Sequence, residues 1–158
     1  MNISDLIQSA EKFRIEGDLQ SAYDLLILLE KTEADNPFVQ LEIGLTLDAM
    51  GKEQDAIPYY ERALSLGLPA EQRCVALLCL GSSLRNVGQL EHSKHILKSA
   101  IDEFPNHIGI RCFYALAQYS AGEYGESVRT LINAILLLSP ESVKPFARGL
   151  QHYADELK

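Results

Sequence analysis

Positive charge is in short supply in this chain of 158 residues: 14 lysines and arginines stand against 22 aspartates and glutamates, a net charge of −8. A surface with that balance repels a phosphate backbone, so nucleic acid is not an expected partner. Long apolar runs are missing as well. The longest, Cys74 to Leu80, has seven residues, where a membrane-spanning helix needs about 20, and no membrane association is expected. The first residues, Met1-Asn2-Ile3-Ser4-Asp5, lack the basic start and apolar stretch of a secretory signal, which points to a soluble, cytoplasmic protein. Cysteine is scarce. Cys74, Cys79 and Cys112 are odd in number and sit in apolar helical patterns, so they read as buried reduced thiols rather than a disulfide framework.

Signatures of catalysis are equally sparse. No two cysteines have a two-residue gap, and neither a Gly-rich phosphate loop nor a nucleophile elbow occurs. His92 and His95 are three apart with only Glu91 as a further nearby ligand; with Lys94 and Lys98 they read as a solvated helical face. Ser82 and Ser83 have no recognisable base, and acids such as Glu30 and Glu33 or Asp102 and Glu103 read as surface. The sequence therefore predicts no enzyme activity, no cofactor and no metal.

What is present is a repeat. With 47% hydrophobic and 23% charged residues the chain has the composition of one folded domain. Gly17, Gly51, Gly88 and Gly122 recur at intervals of 34, 37 and 34 residues, the kind of period that marks stacked supersecondary units. Seven residues before each glycine stands a small residue (Ala10, Gly44, Gly81, Ala115), and five after it another (Ala22, Ala56, Ser93, Ser127). Two antiparallel helices approach closely only where side chains are small, and a glycine between them readily takes the left-handed conformation that ends the first helix. Nine residues after each glycine comes Leu26, Tyr60, Leu97 or Leu131, large residues that read as core between hairpins. The three extra residues of the middle interval fall at the turn cluster Gly67-Leu68-Pro69-Ala70-Glu71. Asn36 before Pro37 reads as a helix N-cap, Ser139 before Pro140 likewise, and Pro58 should kink its helix. Phe146, Leu150, Tyr153 and Leu157 form one apolar stripe on a last helix beginning near Ser142 or Pro145, expected to cover the open face of the fourth hairpin.

A 34-residue unit with this small-large-glycine spacing, closing in segments such as Ile101-Asp102-Glu103-Phe104-Pro105, resembles the tetratricopeptide repeat. The runs Asp55 to Leu64, Ser83 to Gly88 and Phe113 to Ala117 look like those of small stand-alone bacterial members. Two departures are Leu29, where a small residue is usual, and Gln118, where other units carry Phe13, Leu47 and Leu84. The expected architecture is all-α: a right-handed solenoid of four hairpins over about 3–36, 37–70, 74–107 and 108–141, capped by a helix over about 142–157.

The resemblance implies that the first helix of each hairpin lines a concave face. Counting from Ile3, Pro37, Cys74 and Ile108, the fifth residues are Ile7, Leu41, Leu78 and Cys112, and the ninth are Glu11, Leu45, Ser82 and Leu116. The twelfth are Arg14, Asp48, Arg85 and Tyr119. From these, Leu41, Leu45, Asp48, Leu78, Ser82, Arg85, Cys112, Leu116 and Tyr119 form the candidate groove. An apolar floor with a few convergent polar groups suits a peptide or a segment of a partner protein. Three alternatives stand beside it: a shallow groove whose apolar residues only pack between units, self-association as a homodimer through groove or capping helix, and an enzyme whose site is not recognisable. Arg85 is the expected anchor for a partner carboxylate, with a salt bridge to Asp48 as its structural alternative. The Lys and Asn clamp by which chaperone-binding members hold a terminal carboxylate is absent, since the inner positions include Ile7, Leu41 and Leu78.

Overall fold

The computed structural model describes residues 2–157. Nine α-helices follow one another there without a strand: α1 (Ile3–Glu16), α2 (Leu19–Glu33), α3 (Pro37–Ala49), α4 (Glu53–Leu66), α5 (Ala70–Asn86), α6 (Leu90–Glu103), α7 (Ile108–Ser120), α8 (Tyr124–Leu138) and, after a 3-10 turn at Lys144–Phe146, α9 (Ala147–Glu156). The first eight pair into hairpins, each closed by the repeating glycine. Gly17, Gly51, Gly88 and Gly122 have φ of 86°, 71°, 82° and 82°, a region where a side chain is strained.

The close approach inferred from the small residues is present in the two middle hairpins. A Cβ at Gly44 would lie 2.8 Å from Tyr60 Cε1, and one at Gly81 only 2.4 Å from Leu97 Cγ. Tyr60 and Leu97 are fully buried there, as is Leu26 at the same register position of the first hairpin. A hydroxyl reinforces two crossings: Ser93 donates to the carbonyl of Gly81 at 2.6 Å, and Ser127 to that of Ala115 at 2.7 Å. Asn36 caps α3 as its position before Pro37 suggested, accepting from the amide of Phe38 at 3.0 Å. Pro58 lies inside α4, which runs unbroken from Glu53 to Leu66.

Stacking places the hairpins in two layers. The first helices touch along the stack, α1 on α3, α3 on α5 and α5 on α7, while α2, α4, α6 and α8 have no comparable packing on one another among the described residues. In a curved stack the layer whose members touch lies on the shorter, inner arc. The odd-numbered helices therefore form the inner face of a helical solenoid. The three extra residues of the middle interval lengthen α5, which starts at Ala70 and is the longest helix, with Leu68 buried beneath the turn.

The C-terminal end departs from expectation in two ways. Ser139 closes α8 instead of opening a helix: its φ is 47° and its amide donates to the carbonyls of Ile135 and Leu136. With Pro140 unable to continue the helix and no glycine present, the serine itself takes the left-handed position. The final helix then starts only at Ala147 and packs on α8 through Ala154, which is fully buried, with Leu150 and Leu157 half-buried. Phe146 and Tyr153 of the apolar stripe point away and are 67% and 66% exposed. Arg129 of α8 fixes this orientation, donating through Nε to the carbonyl of Ala154 at 2.9 Å and through Nη2 to that of Leu157. A guanidinium so placed adds charged donors to carbonyls at and just beyond the C-terminal end of α9.

Candidate functional site

The inner-face residues singled out from the sequence fall into two hollows and a polar seam between them. The first hollow, about 390 Å³, lies across α1, α3 and α5; Ile7, Phe38, Leu41, Leu45 and Val75 give it apolar walls, with Glu11 and Arg14 at one side and Glu71 and Gln72 at another. Phe38 and Val75, one on α3 and one on α5, are 38% and 40% exposed. Neither stood out in the sequence, because each is the second residue of its unit, about one helical turn before the fifth position at which the count there began.

Arg14 is not a free cation. Its guanidinium meets the Glu42 carboxylate, Nε to Oε2 at 3.1 Å and Nη2 to Oε2 at 3.1 Å, with both side chains largely buried. Burial pushes the Glu42 carboxyl above the usual carboxylate range, and the charge and hydrogen bond of Arg14 pull it back. The pair fastens α1 to α3. Its partners are 28 residues apart in sequence, a separation no local pattern reveals.

Asp48 also turns inward. Tyr60 donates to its Oδ2 at 2.6 Å, and Ser83 donates to Oδ1 and Oδ2 at 2.8 and 3.0 Å. Burial raises its pKa, while the Tyr60 and Ser83 hydrogen bonds lower it. The carboxylate thus joins hairpin two to hairpin three instead of meeting Arg85. The Cys79 thiol beside this cluster is pushed up to about 11 by burial and by the Asp48 charge, so it stays a thiol at neutral pH. All three cysteines are free.

Arg85 is half-buried on α5 and forms no ion pair among the described residues. Its Nη1 makes one long hydrogen bond, 3.4 Å to Ser120 Oγ of the next hairpin, and its Nε is shut away from solvent with no acceptor. Such a guanidinium is under-satisfied. Nearby on the same helix, Leu78 and Ser82 are half-buried, and Leu78 Cδ1 comes within 3.7 Å of the Cβ position of Gly109 on α7. Leu78 therefore contributes to packing between hairpins.

The second hollow, about 440 Å³, has almost purely apolar walls: Cys112, Leu116 and Tyr119 from α7 meet Val128 and Leu131 from α8. Leu116 and Tyr119 are 45% and 61% exposed, and the Tyr119 ring stands edge-on to Tyr124 at 5.0 Å. The participation of α8 is what sequence reading missed, because Leu131 occupies a register position that is core in every earlier hairpin. His92 and His95 are exposed. Among the described residues, no group of three or more His, Cys, Asp or Glu is placed to hold a metal ion, and no helix is long and apolar enough to cross a membrane.

Comparisons with known proteins add to this geometry. The chain is similar over 88% of its length to the solved structure "MamA MSR-1 C2", at a TM-score of 0.76 and 19% identity, covering 78% of that chain. It is similar to "MamA 41-end from Desulfovibrio magneticus RS-1" at a TM-score of 0.72 and 18% identity, over 97% of this chain and 89% of that one. YrrB, described as a TPR protein with an unusual peptide-binding site, aligns over 95% of this chain and 76% of its own at a TM-score of 0.72 and 16% identity. At these identities the likeness establishes the fold alone. Among curated protein sequences there is no match. A model of the family described as tetratrico peptide repeat matches residues 37–157, most of the chain, from the first helix of the second hairpin through α9. The chain belongs to the tetratricopeptide repeat family.

Proposed function

We propose that this protein is a non-catalytic scaffold that binds a peptide or an extended segment of a partner protein along the inner face of the solenoid, between the Leu41 and Leu45 hollow and Arg85. The observation that carries this reading is Arg85 itself. Among the described residues it is an inner-face cation with no carboxylate of its own, whereas Arg14 and Asp48 are already engaged. A partner that brings an acidic group against the Nη end of the Arg85 guanidinium supplies the carboxylate it lacks, and its apolar side chains fill the hollow walled by Leu41 and Leu45. Family membership supports a protein partner in general, and YrrB offers a related fold with a peptide-binding site.

The test is selection of binding peptides from a displayed random library, followed by affinity measurement on the wild type and on Arg85→Ala. Selected peptides carrying a carboxylate and one or two large apolar residues are expected, with binding weakened by about 1.5 to 3 kcal/mol in the variant, the range for a hydrogen bond to a charged group. Failure to select any peptide, or equal affinity of wild type and variant, contradicts the proposal. Circular dichroism on Arg85→Ala separates loss of binding from loss of fold.

A further inference from the structure

We infer that the open end of the last hairpin, the surface formed by α7 and α8, is where two copies of this chain meet about a two-fold axis. The proposal is independent of the peptide reading, which concerns the inner face of α1, α3 and α5. At interior junctions, the first helix of the following hairpin lies against both helices of the hairpin before it, as α3 does on α1 and α2, and α7 on α5 and α6. After the last hairpin, α9 packs on α8 with no comparable packing on α7 among the described residues. The consequence shows at equivalent positions. Tyr60 and Leu97 are fully buried, but Leu131 is 39% exposed. Likewise Ile57 and Ile101 are under one-tenth exposed, whereas Val128 and Ile135, their counterparts in register, are 46% and 44% exposed.

The two ends of the stack are chemically unlike, and that decides what can cover the apolar one. Where α3, α5 and α7 carry Val39, Ala76 and Ile110, all fully buried, α1 has Asp5, which is exposed; where they carry Ile43, Leu80 and Tyr114, it has Ser9. A head-to-tail stack would press this polar face of α1 into an apolar hollow, burying the Asp5 charge with the Asn2 amide as its hydrogen-bond partner and no counter-ion. Contact of the apolar end with itself avoids that cost, and such an isologous contact closes at two copies. Charge agrees. Although the chain carries a net −8, the charged residues between Phe104 and Pro140 are Arg111, Glu123, Glu126 and Arg129, two of each sign, so two copies approach there without like-charge repulsion. The apolar hollow of α7 and α8 is then filled by Val128, Leu131 and Ile135 of the second copy, and the Leu41 hollow and Arg85 remain open.

Sedimentation of the full chain across the micromolar range tests this, with a monomer mass of 17.6 kDa. The wild type is expected to sediment as a reversible species of twice that mass. Val128→Glu, at an exposed position, is expected to weaken dimerisation by about tenfold or more, while Ile15→Glu at the opposite end leaves it unchanged. Hydrogen exchange on the wild type supplies a second readout that needs no variant: concentration-dependent protection is expected in α7 and α8. A monomer at all concentrations overturns the proposal, as does a Val128→Glu variant that dimerises like the wild type, or protection confined to other helices. A wild-type monomer that still binds selected peptides would overturn this contact and leave the inner-face reading standing.

Discussion

At Gly81 the backbone of α5 runs so close to α6 that a single added methyl would stand 2.4 Å from Leu97 Cγ. Gly81→Ala is therefore expected to destabilise the fold by about 1 to 3 kcal/mol through overpacking. Leu97→Ala alone costs about 2 to 5 kcal/mol by leaving a cavity. Combined, the two should cost less than their sum, since each relieves the other; strictly additive denaturation midpoints would show that the two sites do not meet. Asp48 gives a pH signature instead. Its pKa is raised in the fold, so between the ordinary carboxylate range and that raised value the folded state binds more protons than the unfolded one. Stability from this group accordingly rises as pH falls into that window. Relative to Asp48→Asn, the wild type should gain stability on acidification from neutral, and parallel stability curves for the two would rule this out. Arg14 with Glu42 and Asp48 with Ser83 were not legible in the sequence, because pairs 28 and 35 residues apart leave no trace in a local pattern.

Helix ends, by contrast, were legible where a glycine or the Asn36 cap marks the boundary, whereas Ser139 closes a helix where it was expected to open one. The left-handed glycines end first helices as their spacing implied, and Asn36 with Pro37 opens α3. The last helix was harder. Its apolar stripe revealed that a helix exists but not which part of it is buried, because Ala154, a residue too small to stand out, makes the central contact. Arg129 holds this helix by its terminal carbonyls, so Arg129→Ala is expected to release α9 while α1 to α8 stay folded. Hydrogen exchange should then rise over 147–156 alone. Uniform protection across wild type and variant would mean that apolar packing holds α9 without the guanidinium.

For the molecule as a whole, the repeat period dictated architecture with little help from individual residues, since each hairpin leaves an apolar face that only a neighbour covers. The same logic misleads at the end of the stack. Leu131 reads as core by register, yet it lies 39% exposed because α9 packs on α8 with no comparable packing on α7 among the described residues. Function was legible only as a surface. The inner positions were countable from the glycine register, but which of them are spent on holding the stack together depends on contacts between hairpins, and these leave Arg85 as the under-satisfied group. A nuclear magnetic resonance titration of the labelled full chain with a selected peptide places binding on the molecule directly. The expected result is shifts concentrated on Leu41, Leu45, Ser82 and Arg85 along α3 and α5, with the outward residues His92 and His95 of α6 unmoved. Shifts centred on the outer helices, with the inner face silent, would contradict an inner-face binding scaffold.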